Sequence, residues 1–262
     1  MSGKVHLIGA GPGDPELLTI RALRLIEGAD VVVYDRLVSD EIMALVPRAT
    51  RRIAVGKEAG FHAVPQDRIN ALLVELAREG LRVARLKGGD PLIFGRGSEE
   101  AEELRAAGIA YDYTPGITAA QGAACSTGVP LTHRGLATGL RYVTGHRACD
   151  AALTLDWGSL ADPDATLVVY MGAANIGQIS AQLIAHSLPA ATPVMAVSHA
   201  TTPRERRLVS TLDRIADEIA ANPMPAPVLF MIGRVVSLYG DASLPLPAEL
   251  LPQRPALRIA HA

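Results

Sequence analysis

The sequence is poor in cysteine and has no excess of basic charge. Its 262 residues include two cysteines, Cys125 and Cys149, which form neither a CxxC pair nor a dense pattern. The sequence therefore predicts no disulfide scaffold and no metal site of the zinc type. Lys and Arg number 25 against 27 Asp and Glu, which gives a net charge of −2. A nucleic-acid partner is not expected, so a polyanionic ligand must meet a local group of arginines.

Long apolar segments are missing too. No run of about 18 apolar residues occurs, and the N-terminus lacks a basic stretch followed by an apolar run, so we expect neither a membrane span nor export. GxSxG and HExxH motifs are absent, which argues against hydrolase and metalloprotease chemistry. With 49% hydrophobic and 20% charged residues, the composition is typical of a soluble globular protein, and the expected location is cytoplasmic.

What the sequence does contain is glycine-rich turns after predicted strands. The segment RLKGGDPLIFGRGSEE at 85–100 overlaps a short buried strand predicted at 83–86 and enters a helix predicted at 98–107. Between them, Gly88 and Gly89 can adopt a left-handed backbone or let a ligand approach the main chain. The same features are typical of an ordinary strand-turn-helix connector, so the pattern alone leaves both interpretations open.

A second glycine loop, GAGPGDP at 9–15, follows a strand predicted at 5–8. Asp14 is expected to cap a helix with Pro15 at its first position. The GxG spacing permits an NAD-dependent oxidoreductase or a non-catalytic nucleotide-binding module. However, Asp14 stands where the Rossmann fingerprint needs its third glycine, and Pro12 has no N–H to offer a phosphate. The loop is better suited to form an apolar wall for a neutral or cationic ligand.

Strands predicted at 31–34 and 53–55 are each followed by charged residues. The first leads to Asp35 and Arg36 at its carboxyl end, where open parallel sheets bind ligands, although an Asp that only caps a turn is the alternative. The second leads to Lys57 in a glycine-framed turn. Because these strands alternate with predicted helices, the first part of the chain is expected to be α/β, with a mostly parallel sheet and helices on both faces.

The alternating pattern breaks near residue 115, where we place a domain change. Beyond it, strands are predicted at 140–144, 166–171, 193–197 and 228–232, with helices around 176–186 and 212–221. This describes a second α/β unit. The predicted organisation is an N-terminal α/β domain at 1–115, a C-terminal α/β domain at 116–240 and a proline-containing extension at 241–262.

Long motifs in a fixed order give the chain a family resemblance. It resembles the uroporphyrinogen-III C-methyltransferases of the tetrapyrrole methylase family from residue 5 to about 236. GAGPGDP marks the wider family, whereas RLKGGDP, FGRG, PGITA and PLTHR point more closely to the uroporphyrinogen-III enzymes. The motifs are VHLIGAGPGDPELLT (5–19), VVVYDRLVS (31–39), VGKEAG (55–60), RLKGGDPLIFGRGSEE (85–100), TPGITAA (114–120), GVPLTHR (128–134), TGH (144–146), VVYMG (168–172) and IGRVV (232–236).

The resemblance implies two α/β domains with the active site in the cleft between them, a homodimer, and S-adenosylmethionine as methyl donor with S-adenosylhomocysteine as product. Uroporphyrinogen III would be methylated at C2 and C7 to give precorrin-2, in sirohaem, cobalamin or haem d1 biosynthesis. The implied acid/base pair is Asp35 and Lys57. The implied donor contacts are Pro12, Gly88, Gly89, Asp90, Ile93, Thr118, Ala119, Met171 and Ala200.

The implied tetrapyrrole substrate carries eight carboxylates, so cations in or beside the matched motifs are its expected partners. Asp35 and Arg96 are candidates for assisting proton loss, and the choice between them stays open. Glu58 departs from the usual basic residue of its motif. Open alternatives within the family are a later precorrin methyltransferase, a diphthine synthase or a ribosomal-RNA methyltransferase. The predicted substrate residues are Arg36, Glu99, Arg134, Arg141, His146 and Met171.

Overall fold

A computed structural model describes residues 3–56, 64–146 and 153–239 of the chain. Contacts divide these residues into two units. Unit 1 takes the described residues up to 122 together with 199–205, and unit 2 takes those within 123–198 and from 206 onward. The domain boundary predicted after residue 115 stays a prediction, and the extension predicted at 241–262 lies outside the described residues. None of the helices within the described ranges is both long and apolar enough to cross a membrane.

Unit 1 is built on a parallel sheet with the strand order β3-β2-β4-β1-β5. The mostly parallel sheet predicted from the sequence is confirmed. Its strands are β1 (Lys4–Gly9), β2 (Val31–Tyr34), β3 (Arg51–Ala54), β4 (Arg82–Lys87) and β5 (Ala110–Thr114). The helices of this part of the chain are α1 (Ile20–Glu27), α2 (Asp40–Met43), α3 (Gln66–Arg78), α4 (Gly97–Ala106) and α5 (Ala119–Thr127).

Both faces of the unit 1 sheet are covered, as a parallel sheet requires. Side chains alternate along each strand, so Val83 packs with α3 and α4 on one face while Ala84 and Leu86 pack with α1 and α2 on the other. On the α3 and α4 face the next two positions along β4 are Arg85 and Lys87. The apolar core of that face therefore gives way to charge where the strand ends.

Asp14 caps a short 3-10 turn, Pro15–Leu17, instead of the longer helix that the sequence predicted. Its carboxylate accepts the N–H of Glu16 at 2.9 Å. Leu18 is then extended, and α1 begins only at Ile20, where the Thr19 hydroxyl accepts the N–H of Ala22 at 3.1 Å. The second cap is what divides the predicted helix, because a side-chain acceptor at Thr19 satisfies N–H groups that an unbroken helix would bond internally.

Unit 2 has a mixed sheet with the strand order β6-β7-β10-β8-β9, in which only the β6–β7 pair of the described strands is parallel. Strand β9 was not predicted, because its sequence RRLVST begins with two exposed arginines and it pairs with one neighbour at the sheet edge. The strands are β6 (Gly139–Thr144), β7 (Ala165–Tyr170), β8 (Pro193–Ser198), β9 (Arg206–Thr211) and β10 (Val228–Ile232), and the helices are α6 (Trp157–Leu160), α7 (Ile176–Ala185) and α8 (Ile215–Ala221).

Candidate functional site

The loops after β1 and β4 are joined through their backbones at the carboxyl edge of the unit 1 sheet. The N–H of Gly89 donates to the carbonyl of Gly11 at 2.7 Å, and the N–H of Gly11 donates back to Gly89 at 3.2 Å. Gly89 has a φ of +70°, a left-handed conformation that favours glycine. The structure therefore places two predicted donor segments, the loop containing Pro12 and the turn of Gly88 and Gly89, side by side.

The loop after β5 closes onto the same place. A Cβ added at Gly116 would lie 2.2 Å from the carbonyl oxygen of Gly89, so no side chain is compatible with this approach. Thr118 begins α5 with a reciprocal cap, since its hydroxyl accepts the N–H of Gln121 and its own N–H donates to the Gln121 side chain. A Cβ at Gly89 would stand 3.7 Å from the Ala119 nitrogen. The predicted donor residues Thr118 and Ala119 thus adjoin the Gly89 turn.

Asp90 organises the loops with both of its carboxylate oxygens. Oδ1 accepts the N–H of Leu92 at 2.8 Å, and Oδ2 accepts the N–H of Gly116 at 3.0 Å. The carboxylate therefore ties the turn after β4 to the loop after β5. Each oxygen keeps a second acceptor position. A direct contact between Asp90 and a ligand, expected from the resemblance, stays a prediction.

Ala200 reaches unit 1 from far along the sequence. The segment 199–205 belongs to unit 1, and the N–H of Asp14 donates to the Thr201 hydroxyl at 3.3 Å. A Cβ added at Gly13 would stand 3.7 Å from the carbonyl oxygen of Ala200. The fold thus brings a predicted donor residue to the loop after β1, although the two lie more than half the chain apart.

Left-handed backbone conformations in non-glycine residues concentrate in the predicted site segments. Phe94 and Arg96 have φ values of 53° and 58°, and His199 and Thr201 have 48° and 66°. In unit 2, Met171 has a φ of 54°. Each such conformation costs on the order of 1–3 kcal/mol and persists where the surrounding structure imposes it, which is common at ligand sites. Ile93, a predicted donor contact, is partly exposed beside this strained stretch.

Asp35 lies directly after β2, as predicted. Its Oδ1 accepts the N–H of Leu37 at 3.0 Å, and its Oδ2 lies 3.7 Å from Nη2 of Arg85. Asp35 and Arg36 line a pocket of about 560 Å³ together with Tyr34, Arg52 and neighbouring residues. The turn interpretation and the functional interpretation of Asp35 therefore coexist, since one oxygen shapes the loop and the other faces a cation. Lys57, the second member of the implied acid/base pair, lies outside the described residues.

Arg96 and Glu99 pair with each other at the start of α4. Nε and Nη2 of Arg96 donate to the two carboxylate oxygens of Glu99 at 2.9 and 2.7 Å, and both side chains are half-exposed. The hydrogen bonds from Arg96 lower the pKa of Glu99. The structure thus brings together a predicted catalytic residue and a predicted substrate residue. A substrate carboxylate that binds Arg96 has to compete with Glu99 for the guanidinium.

Three buried charges below this edge were not recognised as functional from the sequence. Arg85, Lys87 and Glu100 expose at most 3% of their surface. Burial, and then the neighbouring Arg85, lower the pKa of Lys87 against the opposing effect of Glu100. The alternation of Arg85 and Lys87 on one face of a buried strand was the available signal, because charges at core positions of a strand are rare without a partner.

Unit 2 places the remaining predicted residues at different points of its sheet. Met171 and His146 follow the adjacent ends of β7 and β6, where the N–H of Gly145 donates to Tyr170 at 2.7 Å. Arg141 instead donates to Ser159 and lies 3.4 Å from Asp162, both of which precede β7. Arg134 is exposed in the turn between His133 and Ala137. His146 and Met171 are therefore neighbours, whereas the described partners of Arg141 lie near the opposite end of these strands.

Comparison with known families identifies the fold. A family model described as Tetrapyrrole (Corrin/Porphyrin) Methylases matches residues 4–216. The chain belongs to the tetrapyrrole methylase family. The family resemblance inferred from the motifs is confirmed, and so is the predicted α/β fold class.

This tetrapyrrole methylase has curated relatives of high identity. It is 67% identical over 243 residues to the uroporphyrinogen-III C-methyltransferase of Paracoccus denitrificans (strain Pd 1222), a match that covers 93% of the chain and 85% of the relative. It is 53% identical over 236 residues to the siroheme synthase of Methylococcus capsulatus, covering 90% of the chain. The methylase spans about half the length of that siroheme synthase, 50% of it.

A solved structure of similar fold contains a ligand. The crystal structure of uroporphyrin-III C-methyl transferase from Thermus thermophilus complexed with S-adenosylhomocysteine has a TM-score of 0.78 with this methylase. The two are 39% identical, and the match covers 90% of this chain and 100% of the other. Within the described residues of the methylase, no group of three or more His, Cys, Asp and Glu residues is arranged to hold a metal ion.

Proposed function

We propose that the chain is an S-adenosylmethionine-dependent uroporphyrinogen-III C-methyltransferase that forms precorrin-2 by methylation at C2 and C7. The 67% identity to the Paracoccus denitrificans enzyme over 93% of the chain supports this activity, and the S-adenosylhomocysteine complex of the Thermus thermophilus protein supports the donor. The chain acts in tetrapyrrole biosynthesis. Its homodimeric state, its cytoplasmic location and the choice among sirohaem, cobalamin and haem d1 pathways belong to this proposal as expectations.

The backbone junction of three loops in unit 1 is the observation that carries the proposal. Gly11 and Gly89 are paired backbone to backbone, and Gly116 lies against Gly89 where a Cβ would not fit, so no side chain stands between the three loops. This side-chain-free junction fits a donor with adenosine and amino-acid parts, because the main chain of the surrounding loops can come close to both. Pro12, Gly88, Gly89, Asp90, Ile93, Thr118, Ala119 and Ala200 are its proposed contacts in unit 1, and Met171 is its proposed contact in unit 2.

The donor supplies an electrophilic methyl group on a positively charged sulfur. The chain orients the nucleophilic pyrrole carbon toward that methyl and removes the ring proton that methylation makes acidic. As the new carbon–carbon bond forms, the carbon–sulfur bond breaks and its electron pair stays with sulfur. Asp35 is the proposed proton acceptor in the described residues, since its Oδ2 makes no bond to its own loop. Lys57 and Arg96 are the other proposed members of the acid/base group.

Cations recognise the substrate carboxylates in this proposal. Arg36 lines the pocket beside Asp35, and Arg96 is half-exposed at the start of α4. Arg134, Arg141 and His146 are the proposed substrate residues of unit 2, with Glu99 and Met171 completing the set. Each desolvated arginine–carboxylate contact contributes on the order of 1.5–3 kcal/mol, so a few of them suffice for binding.

Anaerobic incubation with uroporphyrinogen III and S-adenosylmethionine tests the activity. Mass spectrometry is expected to show two added methyl groups per macrocycle. Calorimetry provides an independent check, in which S-adenosylhomocysteine binds and NAD does not. Binding of NAD without binding of S-adenosylhomocysteine would reject the proposal. So would the absence of methylated product from uroporphyrinogen III if the chain methylates a different tetrapyrrole.

Arg96→Lys separates substrate handling from donor binding. Lysine keeps the positive charge but cannot make the bidentate contact that arginine makes with Glu99 or with a substrate carboxylate. The rate of methyl transfer is therefore expected to fall by about tenfold or more. The S-adenosylhomocysteine dissociation constant is expected to stay within about twofold of that of the parent chain, because no donor contact is assigned to the Arg96 side chain. If methyl transfer and S-adenosylhomocysteine binding fall by the same factor, Arg96 supports the conformation of the whole loop and not substrate binding alone.

A further inference from the structure

Arg85, Lys87 and Glu100 form a buried charged cluster directly beneath the site edge. Arg85 and Lys87 are alternate residues of β4 on the face covered by α3 and α4, and Glu100 lies in the first turn of α4. Arg85, Lys87 and Glu100 are 2%, 3% and 0% exposed, respectively. Burying three charges carries a large desolvation cost, and apolar side chains of similar volume stabilise a core at least as well. A purely structural role therefore explains the cluster poorly.

One oxygen of Glu100 holds the whole cluster together. Oε1 accepts from Lys87 Nζ at 2.7 Å, from Arg85 Nε at 3.1 Å and from Gln66 Nε2 at 3.2 Å. Oε2 is fully buried and has no hydrogen-bond partner among the described residues. A glutamine at this position can keep the acceptor at Oε1 and loses the negative charge, while its amide NH2 takes the place of the unpartnered Oε2. The structure thus offers a variant that changes charge with little change in shape.

The three side chains of the cluster together carry a net positive charge, and Arg85 lies next to Asp35. Two cations surround the single carboxylate of Glu100, and Nη2 of Arg85 lies 3.1 Å from that carboxylate and 3.7 Å from Asp35 Oδ2. Among the described residues, the charged groups that contact Arg85 or its partner Glu100 are Lys87 on β4, Glu100 on α4 and Asp35 after β2, while α3 contributes the neutral Gln66. Arg85 therefore interacts with two carboxylates, the buried Glu100 and Asp35, the proposed proton acceptor.

We infer that Glu100 is a positioning residue for proton removal, which acts through Arg85 on Asp35. It fixes the guanidinium so that Arg85 faces Asp35, and it neutralises part of the positive charge that Asp35 experiences. Asp35 is therefore held in place by Arg85 while part of the positive charge beside it is compensated. This inference rests on the proposed function, because it assumes that Asp35 takes part in methyl transfer.

The sign of the effect follows from the charges. Loss of the Glu100 charge leaves Arg85 and Lys87 uncompensated near Asp35, and nearby positive charge stabilises the ionised carboxylate. Asp35 then becomes a weaker base. The acidic limb of the pH–rate profile is expected to move to lower pH, and the plateau rate of methyl transfer is expected to fall.

Glu100→Gln in the full chain tests this inference by three measurements: single-turnover methyl transfer to uroporphyrinogen III, the pH–rate profile, and calorimetric binding of S-adenosylhomocysteine. The expected rate loss is on the order of 10- to 100-fold, as for other small displacements of a reacting group. S-adenosylhomocysteine binding is expected to be unchanged. Glu102→Gln is the matched control, because it removes the same charge from an exposed position of α4.

A second variant keeps the test decisive if Glu100→Gln folds poorly. In Lys87→Gln/Glu100→Gln one charge of each sign is removed, so the positive charge near Asp35 returns toward that of the parent chain. Its acidic limb is expected to lie closer to that of the parent chain than the limb of Glu100→Gln, or at the parental position if only the double variant is available. In Glu100→Gln, a rate loss with an unmoved acidic limb, or a normal rate, would overturn the inference, and so would an acidic limb of the double variant that lies clearly below the parental position. An inactive parent chain would instead overturn the proposed function, and this inference with it.

Discussion

At the scale of single residues, Gly116 lets the loop after β5 approach the Gly89 turn closely. Its position beside the carbonyl of Gly89 leaves no room for a Cβ, and its N–H donates to Asp90. Gly89 faces a different constraint, since its left-handed backbone rather than a close neighbour limits the residue type. Both positions of the junction therefore favour glycine, Gly116 for lack of space and Gly89 for its backbone conformation.

Gly116→Ala is expected to abolish or strongly weaken S-adenosylhomocysteine binding. The added Cβ would sit 2.2 Å from a backbone oxygen, so the loops after β4 and β5 must separate. The free energy of unfolding should also fall by about 1–3 kcal/mol, as in other overpacked sites. Calorimetry with S-adenosylhomocysteine and urea unfolding measure the two effects.

Gly177→Ala in α7 is the matched control for this change. Its added Cβ would meet Ala216 at 3.5 Å, an ordinary contact, and alanine favours the helix by about 0.5–1 kcal/mol over glycine. Donor binding should therefore persist. If Gly116→Ala binds S-adenosylhomocysteine as the parent chain does, the junction of the three loops is not the donor site.

At the scale of secondary-structure elements, an ion pair joins the amino ends of β2 and β4, at the edge of the sheet opposite the proposed site. Asp30 precedes β2 and accepts from the backbone N–H of Arg82 at 2.8 Å, and from Nε and Nη2 of the same residue at 3.1 and 2.8 Å. The side-chain hydrogen bonds from Arg82 lower the pKa of Asp30 from 3.8 to about 2. The contact aligns the two strands whose other ends carry Asp35 and the Gly88 turn.

Asp30→Asn is expected to lower the free energy of unfolding near neutral pH by about 0.5–1 kcal/mol, a modest value because the ion pair is partly exposed. Since the folded-state pKa is depressed, this contribution is fully present above the unfolded pKa of 3.8 and is lost as the pH falls through about 2. Urea unfolding of both chains between neutral and acidic pH measures the difference. Glu102→Gln, which removes an exposed charge, should show no comparable dependence; a constant difference for Asp30→Asn would contradict the ion-pair explanation.

The sequence located most of these elements but missed features that depend on distant partners. The β2, β7, β8 and β10 strands carry near-continuous apolar runs, so their positions were predicted closely. Strand β9 has a polar sequence and owes its conformation to β8. The helix after Asp14 was predicted as one element, but the Thr19 cap divides it. Apolar periodicity reports burial, whereas caps and edge pairing are decided by which acceptor or strand is nearby.

At the scale of the whole molecule, the net charge sets how the substrate must be recognised. A chain of charge −2 does not attract a polyanionic tetrapyrrole through its overall field. Recognition therefore falls to local cations, and Arg36 and Arg96 in unit 1 are the ones beside the predicted site segments. Local contacts of partly exposed charges are sensitive to screening by salt.

Raising the salt concentration from about 0.05 to about 0.5 M is expected to increase the KM for the tetrapyrrole several-fold, because the screening length falls well below about 10 Å. The dissociation constant of S-adenosylhomocysteine should change little, since its proposed contacts are mainly backbone groups. Steady-state kinetics and calorimetry across the same salt series measure the two quantities. A salt-independent KM would show that arginine–carboxylate pairing does not limit substrate binding.

The sequence by itself determined the family, the α/β class and the loops that carry the proposed donor contacts, because these are encoded in contiguous motifs and apolar runs. Only the tertiary structure brought Ala200 to the loop after β1, paired Arg96 with Glu99 and engaged Arg141 with Ser159 and Asp162. It also assembled Arg85, Lys87 and Glu100 into one buried cluster beside Asp35. The physical reason is that a motif specifies local backbone geometry, whereas the partner of a charge depends on which strands and helices the fold places next to it.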